Sequence, residues 1–135
     1  MTKYRTDSYY GTVDNKTVLD LEDDAAYVNM GNDWRMPTND EQKELKNNCT
    51  WTWTTQNGTK GYKVTGPNGN SIFLPAAGHR SDSNLSYAGS YGFYWSASLS
   101  ENFQDFAWYL SIDSSYRSMY DSGRYYGCTV RAVAR

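Results

Sequence analysis

The spacing of apolar positions along the chain changes from helical to strand-like near Cys49. Between Asp20 and Met30 the residues predict a helix. Asp20 is a capping type, Glu22, Asp23 and Asp24 crowd the first turn where the helix dipole favours anions, and Gly31 offers a stop. Ala25, Ala26 and Asn29 give this helix a small face suited to a sheet. Further on, Thr38 stands three residues before Glu41, the spacing of a capping box, which predicts a second helix running to about Asn48 with Leu45 as its apolar anchor. That helix is short and polar, so it belongs on a surface.

Beyond Cys49 the period becomes two. Trp51-Thr52-Trp53-Thr54-Thr55 alternates, and Gly61–Thr65 and Ser71–Leu74 flank the turn-forming run Gly66-Pro67-Asn68-Gly69-Asn70, a hairpin signal. From Pro75 to about Tyr91 the sequence reads as a loop. Trp108, Leu110 and Ile112 then alternate with Tyr109, Ser111 and Asp113, which predicts a strand with one apolar and one polar face. Thr129–Val133 reads as a last strand. The expected class is α+β: two early helices, mostly antiparallel strands and long loops. Trp34, Trp95 and Trp108 are expected to be buried, with Leu110 and Ile112 sharing their core.

At 135 residues the chain suits a single domain, with residues 1–86 as scaffold and 87–135 as the ligand-binding region. A net charge of -2 without a Lys/Arg cluster argues against nucleic acid as partner. No apolar run is long enough to cross a membrane, and the polar start Met1-Thr2-Lys3-Tyr4-Arg5 shows no signal peptide. Catalysis has little to draw on. His79 is the only histidine and has no spaced metal-ligand partner, Cys49 has no local base, and Glu22, Asp23 and Asp24 are better explained by a helix start. A non-enzyme without metal or cofactor is expected. Cys49 and Cys128 are either a long-range disulfide or two free thiols; the second is favoured, because a chain this long builds its core without staples.

What stands out is the aromatic fraction, 16%, with 13 Tyr. From Ser96 to Cys128 the chain is mostly Tyr, Ser, Gly, Asp, Asn and Phe, the alphabet of antibody binding loops, where Tyr supplies rigid amphipathic area and Ser, Gly and Asn adaptable hydrogen bonds. Trp95, Trp108, Leu110, Ile112, Met119, Arg124, Gly127, Val130 and Arg131 interleave with these residues as scaffold, as pleated strands produce.

Three motifs carry a family resemblance. Asp33-Trp34-Arg35-Met36-Pro37-Thr38, ahead of an acidic helix, resembles the corresponding motif of formylglycine-generating-enzyme-like domains. Tyr94-Trp95-Ser96-Ala97-Ser98, with Ala107-Trp108-Tyr109-Leu110 and Gly127-Cys128-Thr129-Val130-Arg131, resembles the major paralogous domain first named from Fibrobacter succinogenes and common in gut Bacteroidales and their phages. The likeness spans about residues 18–133 and implies a C-type-lectin-like fold. A subset of such domains are variable proteins of diversity-generating retroelements, whose rewritten template adenines scatter Asn codons into Tyr, Ser, Asp, Phe, Gly and Cys. The resemblance makes Cys128 a diversified position rather than half of a disulfide. A reactive cysteine pair in the C-terminal half, needed for formylglycine-generating activity, and the calcium motifs of sugar-binding lectins are both missing.

The expected function is therefore a display domain, on a phage tail or bacterial surface, recognising a protein or glycan on a target cell and monomeric when isolated. The expected contact residues are Asn102, Phe103, Asp105 and Phe106 ahead of the strand and Tyr109, Ser111 and Asp113 on it. Ser115, Tyr116, Ser118, Tyr120, Asp121 and Ser122 follow, and Tyr125, Tyr126 and Cys128 complete the set, all expected on one exposed surface. A fixed carbohydrate-binding adhesin and an inactive relative of formylglycine-generating enzyme are the rival expectations.

Overall fold

The computed structural model describes residues 3–5, 7–9 and 12–135, with the backbone alone of Tyr10; Met1 and Thr2 of the polar start lie outside the described residues. Helix α1 (Ala25–Met30) is shorter than the Asp20–Met30 expectation, because Leu21–Asp23 forms a separate 3-10 turn. The cap is Asp24 rather than Asp20. Its Oδ1 accepts from the Ala26 and Tyr27 amides at 2.9 and 3.1 Å, and its Oδ2 from the Met36 amide at 2.8 Å. This buried carboxylate thus joins the helix start to the chain leaving strand β1 (Trp34–Arg35). Three amide donors satisfy this buried polar group, which would otherwise cost free energy to enclose.

Helix α2 (Asn39–Asn48) forms as its capping box predicts. Thr38 Oγ1 accepts from the Glu41 amide at 3.2 Å, and a Glu41 oxygen accepts from the Thr38 amide at 2.9 Å. Both Glu41 oxygens also accept from Arg35, at 2.8 and 2.5 Å. Together with the helix cap, these bonds hold the Glu41 carboxyl below its usual range.

Strands β2 (Thr50–Gln56), β3 (Thr59–Thr65) and β4 (Ser71–Pro75) make an antiparallel meander. Asn57 and Gly58, both left-handed, close its first turn. The stretch expected as plain loop contains a small hairpin, β5 (His79–Ser81) with β6 (Asn84–Ser86). A second antiparallel sheet follows: β7 (Gly92–Leu99), β8 (Phe106–Ile112) and β9 (Arg117–Gly123), with β8 central. The expected last strand is displaced. Thr129 makes only a parallel bridge to Tyr94, and the strand itself is β10 (Val133–Ala134), paired with β1. The class is α+β, with two helices and antiparallel sheets.

The main core lies between the sheets. Tyr62, Val64 and Leu74 meet Tyr94, Leu110 and Ile112, with Leu45 of α2 at the margin. Strand alternation puts Leu110 and Ile112 inside as predicted, yet the tryptophans depart from expectation. Trp34 is 39% exposed on its two-residue strand, and Met36 takes the buried place two positions on. Trp108 shares the Leu110 face but is only half-buried, since polar α2 covers it with Lys43, whose Nζ stands 5.9 Å from the ring centroid. Trp95 is half-buried and lies on the opposite face, against Tyr109. The rings that pack on the main core are instead Trp51 and Trp53, edge-on to Tyr62 at 5.3 and 5.0 Å.

Between Trp95 and Leu99 the pairing of β7 with β8 slips. The freed backbone finds other partners: the Ala97 amide donates to Pro37 O at 2.8 Å, the Leu99 amide to Thr17 O at 2.8 Å, and Ala97 O accepts from the Leu19 amide at 2.9 Å. Gln42 of α2 reaches the carbonyls of Tyr94 and Trp95 at 3.2 and 3.3 Å.

Thermal or denaturant unfolding checks this core. Leu110→Ala is expected to cost about 2–5 kcal/mol and Thr38→Ala about 1 kcal/mol. Acid should act through the carboxylates. Glu41 is held low first by Arg35, Asp23 by Tyr4 and then Lys3, and Asp14 by the Tyr4 amide. Depressed folded-state values mean stability that is present above the unfolded carboxylate range and lost as pH falls through the lower folded values. The midpoint should therefore hold near pH 6 and fall below about pH 4. A midpoint unchanged down to pH 3 would contradict the assignment.

Candidate functional site

The two faces of the β7–β8–β9 sheet differ because directly opposed residues share a side. Tyr94, Leu110 and Met119 point to the core. The alternate set points the other way: Phe93, Ser111 and Ser118 in one row, Trp95, Tyr109 and Tyr120 in the next, Ala107 and Ser122 beyond. Asp113 and Tyr116 extend this face at the hairpin end, their backbones paired across the turn at 2.9 Å. The period-two expectation that Tyr109, Ser111 and Asp113 emerge together is met.

Rings on this face are continuous. Tyr109 lies 5.9 Å from Phe93, 5.8 Å from Trp95 and 6.2 Å from Tyr120. Tyr91 stacks on Phe93 at 5.9 Å and 11°. His79, from β5, meets Phe93 edge-on at 5.0 Å and Tyr126 at 5.4 Å. Tyr87 lies 5.8 Å from His79, and Tyr125 packs on Tyr126 at 4.3 Å. Among these rings opens a pocket of about 270 Å³. Its wall brings His79, Tyr87 and Phe93 together with Tyr109, Ser122, Tyr126 and Cys128.

Close backbone approach builds part of this wall. Gly78 has φ +69°, its amide donates to Tyr91 O at 2.8 Å, and a Cβ there would stand 2.1 Å from Ser86 O. Only glycine lets residues 78–92 fold back this tightly. Tyr87 itself holds φ +62°, an uncommon state for an aromatic residue, kept by the Ser90 and Tyr91 amides donating to its carbonyl at 3.0 Å. Backbone outliers of this kind cost about 1–3 kcal/mol and cluster at binding sites.

Burial pushes the Tyr109 phenol up, and pushes the Cys128 thiol up to about 12. A thiol so raised is protonated at neutral pH and serves as a packed polar wall, not a nucleophile. Both cysteines are free, which decides the disulfide question left open by the sequence.

Not every expected contact residue joins this face. Asp121 and Phe106 have the strand phase of Trp108 and Leu110 and turn to the other side. The Ser100 hydroxyl donates to Asp121 Oδ2 at 2.6 Å while its oxygen accepts from the Asn102 and Phe103 amides at 3.2 and 3.3 Å, so Asp121 braces the β7–β8 connection. Asn102, Phe103 and Asp105 are exposed on that connection, and Phe103 packs on Phe106 at 5.0 Å, apart from the pocket. Their place corrects the expectation of one surface. Asp113 Oδ1 accepts from the Ser115 amide at 2.8 Å and its hydroxyl at 3.1 Å, shaping the β8–β9 turn.

Sequence reasoning missed His79, Tyr87, Tyr91 and Phe93, and assigned Trp95 to scaffold. Phase alone could have found Phe93 and Trp95, because they alternate with buried Tyr94. His79 and Tyr87 carry no such signal. Elsewhere, the carboxylates of Asp20, Glu22 and Asp23 lie together. Lys3 donates to Glu22 and Asp23, and Lys16 to Asp20 at 2.5 Å, so the chain's own ammonium groups face them.

The molecule is thus an α+β domain presenting an aromatic, ring-sized pocket on an open sheet face. Residues 34–133 match the model of the family described as Domain of unknown function (DUF8237), and the chain belongs to that family. No curated protein and no solved structure matches it. Among the described residues no helix is long and apolar enough to cross a membrane.

Alkylation measures the Cys128 environment. Iodoacetamide at pH 8 is expected to modify Cys128 in the native protein at least tenfold more slowly than in urea, and equal rates would show that the pocket wall is open.

Proposed function

We propose that this protein is a ligand-binding display domain of C-type-lectin-like fold, a variable protein of a diversity-generating retroelement, and not an enzyme. One observation carries the proposal. Tyr109, Ser111, Asp113, Tyr116, Ser118, Tyr120 and Ser122, scattered over 14 positions of sequence, share the outer face of one sheet with Tyr126 and Cys128 at its margin. The opposite face of that sheet is fixed by core packing, so residues on the outer face can change with little effect on folding. Support for the fold comes from the early strand β1 pairing with β10 at the end of the described chain, and from α1 and α2 both preceding the β2–β3–β4 and β7–β8–β9 sheets. The target is a protein or glycan on a cell surface, met from a phage tail or a bacterial envelope.

The rings set the energetics. Tyr116, Tyr120 and Tyr125 are 53%, 45% and 74% exposed, more apolar area than an inert surface needs. Aromatic anchors dominate binding energy, so these rings should matter more than the serines between them. Across the face the Tyr116 and Tyr120 phenols share a hydrogen bond, which holds Tyr116 below and Tyr120 above the usual tyrosine range.

Two measurements test the proposal. Sequences of sibling copies from the same source should vary at these outward positions and hold Tyr94, Leu110 and Ile112 constant, beside an adenine-rich near-copy of the coding segment. Identical outer faces throughout would refute it. The triple change Tyr116→Ser, Tyr120→Ser and Tyr125→Ser should abolish capture of the target surface while moving stability by only about 0.5 kcal/mol per site. Unfolding of that variant would show these rings to be structural.

A further inference from the structure

We propose that the pocket between His79 and Tyr109 is a metal-independent binding site for a single neutral pyranose ring, the terminal sugar of a glycan. The proposal rests on the display function of the same face and names the class of ligand. Its size comes first. A volume of about 270 Å³ lies just under the range of drug-sized sites, about 300–1,000 Å³, so the pocket admits one ring rather than an extended chain.

Charge narrows the chemistry. No carboxylate, ammonium or guanidinium stands among the residues lining the pocket. An ionic group entering would lose its hydration and meet no counter-charge, which disfavours acidic sugars and ammonium ligands alike. The inserted part of the ligand is therefore neutral.

Hydrogen bonding decides between a sugar and an aromatic side chain. Among the described residues, no hydrogen-bond partner meets the ring nitrogens of His79 or the hydroxyls of Tyr87, Tyr109 and Ser122. These are donors and acceptors of both kinds, in the same lining as the rings of Phe93 and Tyr109. A phenyl or leucyl group filling the pocket would strip water from them and leave each without a partner, which costs more than the hydrogen bonds are worth. A pyranose satisfies both demands. Its C–H face carries partial positive charge and stacks on the negative face of a ring, while its equatorial hydroxyls reach outward to the polar groups.

His79, Tyr87 and Phe93 are not among the contact residues expected from the sequence, and the strained backbone of Tyr87 and the tight approach at Gly78 place them. Tyr109, Ser122 and Cys128 belong to that set. Changes at Tyr109, Ser122 and Cys128 beside the rings of His79, Tyr87 and Phe93 would let one domain retain a sugar site while changing which sugar fits.

Saturation-transfer NMR on the intact chain, with glucose, galactose, mannose, fucose and N-acetylglucosamine as separate probes at millimolar concentration, tests the site. At least one probe should receive saturation at its ring protons, unaffected by EDTA. Tyr87→Ala removes a wall at an exposed position and should weaken that binding at least tenfold. Tyr109→Phe removes one hydroxyl without changing shape and should weaken it about three- to tenfold. Tyr9→Ala, a more exposed ring outside the pocket lining, should leave it unchanged. The proposal is overturned if no probe binds, if EDTA abolishes binding, or if Tyr87→Ala and Tyr109→Phe bind as the parent does. Capture of a purified surface protein through this face without any sugar binding would overturn the sugar site and leave the display function standing. Sugar binding lost in Tyr87→Ala, with sibling sequences identical on the outer face, would uphold the site and refute the display function.

Discussion

The backbone of β7 is the constraint on which the rest of the structure depends. One edge of this largely buried strand pairs with β8, and its other edge offers amides and carbonyls that no regular neighbour takes. Buried peptide groups must be hydrogen-bonded, so other parts of the chain are drawn in. Thr129 closes on Phe93 and Trp95, Pro37 and Leu19 close on Ala97, Thr17 closes on Leu99, and Gly78 bridges to Gly92. Gln42 adds an amide from α2. Five distant segments are thereby fixed to one strand. Because Gly78 is among them, the same constraint that closes the core also brings His79 and Tyr87 over Phe93.

From this follows the separation of stability from recognition. The inner face of the β7–β8–β9 sheet is committed to Tyr94, Leu110 and Ile112 against the meander, where a lost methylene leaves a cavity. The outer face divides: Trp95 and Ala107 pack into smaller clusters with Leu19, Leu99 and Met36, while Tyr109, Tyr120 and Phe93 form a chain of ring contacts. The part that carries Tyr109, Ser111, Ser118, Tyr120 and Ser122 can be rewritten under the proposed retroelement function, since none of these residues belongs to a hydrophobic cluster. It also explains why Asp121, though of the same residue type as its exposed neighbours, belongs to the scaffold. Its carboxylate receives the Ser100 hydroxyl and so holds the β7–β8 connection.

Whatever depended on local chemistry was legible in the residues. The capping box of Thr38 and Glu41 gave α2 its start, the Gly66–Asn70 run gave the β3–β4 turn, and alternation gave the two faces of β8. Legibility ended where partners are distant. Asp24 caps α1 in place of Asp20 because its second oxygen is taken by the Met36 amide, 12 residues on. Trp34, Trp95 and Trp108 look alike in sequence, yet their burial depends on tertiary surroundings: the first stays exposed on a two-residue strand, the second meets Tyr109, and the third meets the polar flank of α2.

The division runs through the candidate site as well. By itself the sequence determined an α+β chain rich in amphipathic rings, with Tyr109, Ser111 and Asp113 on one side of a strand, because side-chain direction in a strand is a period-two property of the chain itself. Tertiary structure alone decided that the face would contain a pocket. Its wall needs a histidine from a hairpin, a tyrosine in a left-handed conformation and a phenylalanine from the neighbouring strand to converge, and their convergence is set by the hydrogen bonds of Gly78 and Gly92, which the residues forming the wall do not encode.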